Sequence, residues 1–137
     1  MTLLELCYIK PEQILLDSTN CLVRAHLPHY EKFRKDGIHD RFSNLLQALT
    51  KCIEVNSCTD MLTYMNKLSD ERFIMGFELQ EVQTAINIFE ESMWKSIAEF
   101  VDQDKQFAAM KLVTCILGKA KEELTGEYAL LSRSDTF

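Results

Sequence analysis

Glycine and proline are scarce in this chain of 137 residues, which contains four glycines and two prolines. A strand-rich fold with many tight turns needs more of both, so their scarcity favours long helices with few interruptions. No apolar run approaches the length that a membrane-spanning helix needs, and the opening residues lack the basic and apolar regions of a signal peptide. These absences predict a helical protein that is soluble, cytoplasmic and free of membrane contact.

An excess of basic residues is also missing. The net charge is −6 and the isoelectric point is about 5.1, so the chain lacks the cationic surface that nucleic-acid binding requires. Residues 78–104 carry seven acidic side chains and one basic side chain, Lys95. This segment is interpreted either as a solvated acidic face or as a docking surface for a basic partner.

Paired cysteines are absent as well. The five cysteines are odd in number and form no CxxC motif, a pattern typical of free thiols in a reducing cytosol. Cys52 falls on the apolar face of its predicted helix and Cys115 lies beside another apolar stripe, so both are interpreted as inert packing residues. Cys58, near a predicted helix start, is the candidate for a reactive thiol.

What the chain does contain is regular helical spacing. Between residues 79 and 100, apolar side chains recur at steps of three or four, the period of an amphipathic α-helix. Glu81 and Glu90 fall on the opposite, polar face, which is predicted to face solvent. The stripe consists of Leu79, Val82, Ile86, Phe89, Met93, Ile97 and Phe100.

Similar spacing predicts the other helices. A helix begins at Pro11 and is interrupted around Pro28, because the residue before a proline avoids helical geometry. A short basic helix follows from His29 to Lys35 and ends at a glycine cap. Further helices are predicted at about 38–55, from about 59 to a stop at Gly76, and after 104; whether Ser69-Asp70 divides the second of these stays open.

The sequence therefore predicts an all-α fold of about five to seven helices, with one domain over residues 1–131 and a tail at 132–137. The last helix has roughly 28 residues and is about 40 Å long, more than one small domain needs. Its outer turns are expected to pack on a second copy of the chain or on a following domain. The candidate dimer and relay residues are Phe107, Met110, Val113, Leu117, Leu124 and Leu131.

The three histidines, His26, His29 and His39, are the candidate residues for catalysis or metal binding. A His-x-x-His pair is one way to hold zinc, but Pro28 removes the helical face that aligns such a pair. Phosphotransfer needs an exposed mid-helix histidine beside a basic group, which His29 does not match. No histidine follows His39, so haem ligation by imidazole is not expected. We predict no catalytic residue, no metal site and no cofactor, with a histidine-based metal or phosphotransfer protein as an alternative.

A second alternative is a helical module that binds a small molecule. It predicts an apolar cavity with a few polar groups near Tyr64, Phe73 or Trp94. Packing is the default interpretation for each of these aromatic side chains.

One segment resembles a known family. The pattern comprises Glu71-Arg72-Phe73, then Gly76-Phe77-Glu78-Leu79-Gln80-Glu81-Val82, then Ala85, Phe89-Glu90-Glu91 and Trp94. It is similar to the N-terminal sensor domain of RsbR/RsbRD type, found in bacterial stressosome proteins and some sensor kinases. The likeness covers roughly residues 60–97. Glu78 departs from the pattern, because a better helix-capping residue is expected there.

The resemblance implies a globin-like helical dimer without haem. Its implied role is to pass a signal to an attached output domain, such as a STAS domain or a histidine kinase, by shifting the population of two helix packings. The resemblance carries over no catalytic residue. The sequence predicts a non-catalytic sensor and dimerisation domain of a bacterial regulatory protein.

Overall fold

The computed structural model describes residues 1–135, and within that range the chain is all-helical, without a β-strand. It contains six α-helices, a number inside the predicted range, and the last of them is the longest, as predicted. The helices are α1 (Leu3–Ile9), α2 (Pro11–Ala25), α3 (Lys35–Val55), α4 (Thr59–Ile74), α5 (Leu79–Phe100) and α6 (Gln106–Asp135), with 3₁₀ turns at Tyr30–Lys32 and Gln103–Lys105.

Five of the helices surround the core in a closed order. Helix α2 packs against α3, α3 against α4, α4 against α6, α6 against α5, and α5 against α2. Helix α1 lies against α2, α3 and α5. Apolar side chains from all six helices form one continuous core, in which Phe89 and Met93 of α5 are fully buried. This arrangement is compatible with the globin-like bundle that the resemblance implies.

The residues at the ends of several helices explain where those helices begin or end. Pro11 occupies the first turn of α2 as predicted, and His26 ends that helix in the left-handed conformation, with φ of 51°. Asn56 ends α3 in the same way. Gly76, with φ of 87°, ends α4 where predicted, and glycine adopts this conformation without steric cost. Helix α4 runs unbroken through Ser69 and Asp70.

The predicted helix at His29–Lys35 is wrong. Only the 3₁₀ turn Tyr30–Lys32 forms, and Phe33 and Arg34 are extended before α3 begins at Lys35. Gly37 therefore lies in the first turn of α3 instead of capping a preceding helix. The Asp36 side chain accepts a hydrogen bond from the Gly37 amide at 3.0 Å, and its negative charge in this first turn suits the positive end of the helix dipole.

Helix α6 is longer than predicted. Its 30 residues extend about 45 Å and continue through Asp135, so the helix reaches four residues into the predicted tail of 132–137. Residues 136 and 137 of the predicted tail lie outside the described residues.

Two glutamates of α5 are buried although the sequence placed them on a solvated face. Glu90 is covered by α6, whose Lys121 reaches it at 3.3 Å, and Glu81 is covered by the segment around His29. Periodicity counts apolar side chains only, so it assigned both carboxylates to the solvent. Along residues 1–135, none of the helices combines the length and the apolar character needed to cross a membrane.

Candidate functional site

A pocket between α3 and α4 is the most distinctive site in the described part of the chain. It has an inner cavity of about 30 Å³, which has room for about two water molecules, and a polar mouth. The two parts share Arg41 of α3 and Tyr64, Leu68 and Arg72 of α4. We call the inner cavity and its mouth together the arginine pocket.

Arg72 is buried in the wall of this pocket, with 3% of its surface exposed. Its Nη1 donates to Glu71 Oε1 at 2.7 Å, and its guanidinium lies 6.0 Å from the ring centre of Tyr30 and 5.5 Å from that of Phe77. Its Nε is buried and has no hydrogen-bond partner among the described residues. A buried donor without a partner is costly even on a guanidinium that is otherwise paired, so Arg72 Nε marks this pocket as a candidate binding site.

Arg41 is a second guanidinium in the same pocket. It stacks on the Phe33 ring with its central carbon 3.4 Å from the ring centre, and Nη1 donates to Gly37 O at 3.0 Å. Its Nε is also buried without a partner in the described chain. Burial lowers the pKa of Arg41, and the nearby Arg72 guanidinium lowers it further. The pocket therefore holds two cations close enough to repel each other, an arrangement that an anion between them would relieve.

Two tyrosine hydroxyls complete the polar part. Burial raises the pKa of Tyr64 to about 12, against the opposing effect of Arg72. Burial also raises the pKa of Tyr30, again opposed by Arg72. Both phenols are therefore protonated at neutral pH and able to donate hydrogen bonds.

The inner cavity is apolar apart from these groups. Its walls come from α2, α3, α4 and α5, so the cavity lies inside the ring of helices. The apolar lining residues are Leu22, Ile38, Phe42, Leu45, Met65, Leu68, Val82, Ala85 and Ile86. At the mouth, Lys67, Arg41 and Arg72 are cationic while Asp40 and Glu71 are anionic, so the charged lining carries one net positive charge.

A cluster of rings closes the end of the pocket nearest the α4–α5 loop. Phe77 is buried against His29, Tyr30 and Phe33, with ring centres 5.2, 4.7 and 5.9 Å away. Glu81 in the first turn of α5 fixes this cluster, because its carboxylate accepts from the backbone N–H of His29 and lies 2.6 Å from His29 Nδ1. The same carboxylate accepts from Glu78 N–H at 3.0 Å and thereby caps α5. Glu78 and Glu81 thus form a capping box at the start of α5, although Glu78 was not expected to cap it.

Helix α4 connects the pocket with α6. Its Phe73 ring packs edge-on against Tyr128, with ring centres 5.5 Å apart, and its Asn66 donates to Glu123 of α6. The hydroxyl of Tyr128 donates to Phe77 O at 3.0 Å. A displacement of α4 or of Phe77 would therefore reach the C-terminal half of α6 through direct contacts.

The three aromatic residues predicted to surround a ligand are not brought together. Tyr64 lines the arginine pocket. Phe73 faces α6 and lines a separate cleft beside Tyr128. Trp94 is 37% exposed, and its Nε1 donates to Thr114 Oγ1 of α6 at 3.2 Å.

The predicted dimer residues of α6 divide between its two faces. Val113, Leu117 and Leu124 are fully buried in the core of the chain itself, where α6 packs against α4 and α5. Met110 and Leu131 are half-buried. Phe107 is 81% exposed and is the member of the set that a second copy can reach most easily.

Each of the three histidines contacts a different carboxylate. His26 contacts Glu31 at 2.9 Å, His29 contacts Glu81, and His39 contacts Glu12 at 3.0 Å. Within residues 1–135, no group of three or more histidine, cysteine, aspartate or glutamate side chains is arranged to hold a metal ion.

The five cysteines are free thiols. Cys52 is buried as predicted, and burial raises its pKa. Cys115 is exposed, which corrects the prediction that it packs beside the apolar stripe, because that side of α6 faces solvent. Cys58 precedes the first turn of α4 and is half-buried.

Sequence reasoning did not identify the arginine pocket. Arg72 follows Leu68 by four residues, the spacing of an apolar helix stripe, and a cation at such a position was the one signal of its burial. Arg41 stands beside the buried Phe42, and nothing in its spacing distinguishes it from a solvated arginine.

Comparison with known proteins gives no relative: no family model, no curated protein and no solved structure matches the chain. The resemblance to the RsbR/RsbRD-type sensor domain therefore stays a prediction.

Proposed function

We propose that this chain is a non-catalytic sensor module that binds a small molecule in the arginine pocket and passes the change to α6. The observation that carries the proposal is the buried Arg72, whose Nε lacks a partner at the wall of a cavity inside the helix ring. Cavities with apolar walls and a few converging polar groups are typical ligand sites. Histidine, cysteine and serine are missing from the described lining of this pocket, which favours binding over nucleophilic catalysis.

The proposal keeps the input role that the RsbR/RsbRD-type resemblance implies. In its support, two residues of that pattern have specific positions here: Arg72 lines the pocket and Gly76 forms the left-handed turn after α4. We propose that the output is a regulatory partner or a fused domain, such as a STAS domain or a histidine kinase, in the cytoplasm of a bacterium. The contacts of α4 with α6 give the route by which ligand occupancy would shift a population of α6 positions.

We also propose that the working form is a homodimer. The support is the exposure of Phe107 on α6, together with Trp94 on the neighbouring α5. Large apolar side chains exposed on adjacent helices are typical of interaction surfaces.

A pocket-filling variant tests the binding proposal. Ala85→Val adds two methyl groups to the wall of the inner cavity, which leaves little room for a ligand. In an NMR screen of small organic compounds of mixed charge, we expect hits on the wild type that perturb pocket resonances and are lost in the variant. Thr84→Val, one residue earlier on the outer side of α5, is the control and should keep the hits. Hits that survive Ala85→Val, or a screen without hits, would contradict the proposal.

A further inference from the structure

The donors of the arginine pocket define what it accepts. Arg72 Nη1 is paired with Glu71 and Arg41 Nη1 with Gly37 O, whereas both Nε atoms are buried and unpaired within the described chain. Tyr64 adds a protonated hydroxyl to the same lining. A group that only accepts hydrogen bonds and carries negative charge satisfies these donors, and a carboxylate has two oxygens for the purpose.

The charge of the lining favours a single negative charge. Glu71 already offsets one of the two guanidinium groups, and the mouth as a whole carries one net positive charge. A monoanion neutralises this charge, while a dianion such as a phosphate monoester would add repulsion from Asp40 and Glu71. A neutral ligand would leave the two arginines repelling each other.

The space behind the arginines favours a short aliphatic chain. The inner cavity is walled by aliphatic and aromatic side chains and has a volume of about 30 Å³. The transfer of an apolar chain from water to such a site is favourable. Met65 in the wall is flexible enough to adjust to the chain.

We propose that the arginine pocket binds a short-chain aliphatic monocarboxylate, with its carboxylate between Arg41 and Arg72 and its chain in the inner cavity. This inference rests on the proposed function, since it names the ligand class of the same pocket. The carboxylate would pair with the two guanidinium groups, whose side chains would have to turn to present their buried Nε donors, and α4, which carries Arg72, would be drawn toward α3, which carries Arg41.

Four probes separate charge from chain: n-butyrate, acetate, 1-butanol and monobutyl phosphate, each titrated by NMR at constant ionic strength. We expect n-butyrate to bind saturably and at least about tenfold more tightly than each of the others. Such a ratio corresponds to about 1.4 kcal/mol.

Variants locate the carboxylate. Arg41→Gln should weaken n-butyrate binding about tenfold and leave 1-butanol binding unchanged, because only the anion uses the guanidinium. Arg24→Gln makes the same change at an exposed position on α2 and should have no effect. Arg72→Gln is a second variant, but Arg72 is buried, so Arg41→Gln, which is half-buried, carries the test if Arg72→Gln does not fold.

Several results would overturn the inference. If 1-butanol binds as tightly as n-butyrate, the charge plays no part; if acetate does, the chain does not occupy the cavity; if monobutyl phosphate binds more tightly, the site takes dianions. Failure of all four probes, or an equal loss in Arg41→Gln and Arg24→Gln, also overturns it. None of these results removes the proposed binding function, which is decided by whether screening hits are lost in Ala85→Val.

Discussion

Glu81 joins two segments that lie far apart in the sequence. Its carboxylate is 5% exposed and accepts hydrogen bonds from Glu78 N–H and His29 N–H, while lying 2.6 Å from the His29 ring. Burial alone would raise the pKa of Glu81, but these hydrogen bonds together outweigh burial and hold the pKa below its ordinary value of 4.5. The folded protein therefore stabilises the ionised carboxylate more than the unfolded chain does.

This shift makes folding stability depend on pH. A carboxylate whose pKa is depressed by folding contributes stability above pH 4.5, and that contribution is lost as the pH falls through the folded-state pKa. We expect Glu81→Gln to lower the free energy of unfolding at pH 7 by about 1–2 kcal/mol, since hydrogen bonds to a charged group are lost. Between pH 4.5 and pH 2.5, the variant should also lose less stability than the wild type. Urea denaturation at several pH values measures both effects.

Glu91→Gln is the matched control for this prediction, because Glu91 lies on the same helix but is exposed. It should retain the wild-type stability and its dependence on pH. An unchanged acid response in Glu81→Gln would show that Glu81 does not carry the effect.

For single residues, the sequence predicted burial correctly where the side chain is apolar. The members of the α5 stripe from Val82 to Ile97 are buried as the periodicity indicated. It failed for Glu81 and Glu90, which are buried because partners distant in sequence cover or pair with them. A single sequence does not show which elements meet, so these charges were assigned to solvent.

At the scale of helices, the apolar stripe of α6 serves the chain itself. Val113, Leu117 and Leu124 fill the space between α6, α4 and α5, so the length of α6 alone does not require a second copy. The proposed dimer depends instead on the exposed face that carries Phe107. Continued helical geometry to Asp135 places the end of α6 beyond its last fully buried residues.

Replacement of Phe107 tests this surface. We expect the wild type to sediment at twice the 15.9 kDa mass of the chain, and Phe107→Glu to raise the dissociation constant at least about tenfold. Ile74→Glu is the control, because Ile74 is similarly exposed, at 84% against 81%, but lies at the end of α4. A wild type that stays monomeric at all concentrations, or equal effects of the two variants, would exclude the Phe107 surface.

Helix boundaries were predictable where a residue acts within its own turn. Pro11 and Gly76 mark the start of α2 and the end of α4 as expected. Helix α1 was missed although Thr2 and Glu5 form a reciprocal capping box, with bonds of 3.0 and 3.2 Å, which the spacing Thr-x-x-Glu signals. The residues after His29 form a 3₁₀ turn in place of a helix, and there Tyr30 packs against Phe77 and the backbone of His29 bonds to Glu81.

Across the whole molecule, α4 joins the arginine pocket to α6. The arginine pocket lies on one side of α4, and Phe73 and Asn66 on α4 contact α6. Phe77 extends this connection, since it packs on Tyr30 at the pocket and its carbonyl accepts from Tyr128. Ligand occupancy is expected to draw α4 toward α3 and to change the packing of α6 around Tyr128.

Hydrogen exchange with and without saturating n-butyrate, followed by mass spectrometry, tests this claim most directly. We expect changed exchange in α4 and also in the C-terminal half of α6 around Tyr128, none in α1, and a smaller change in Arg41→Gln, in proportion to its lower occupancy at the same n-butyrate concentration. Changes confined to the segments that line the pocket, with α6 exchanging at its original rate, would contradict it.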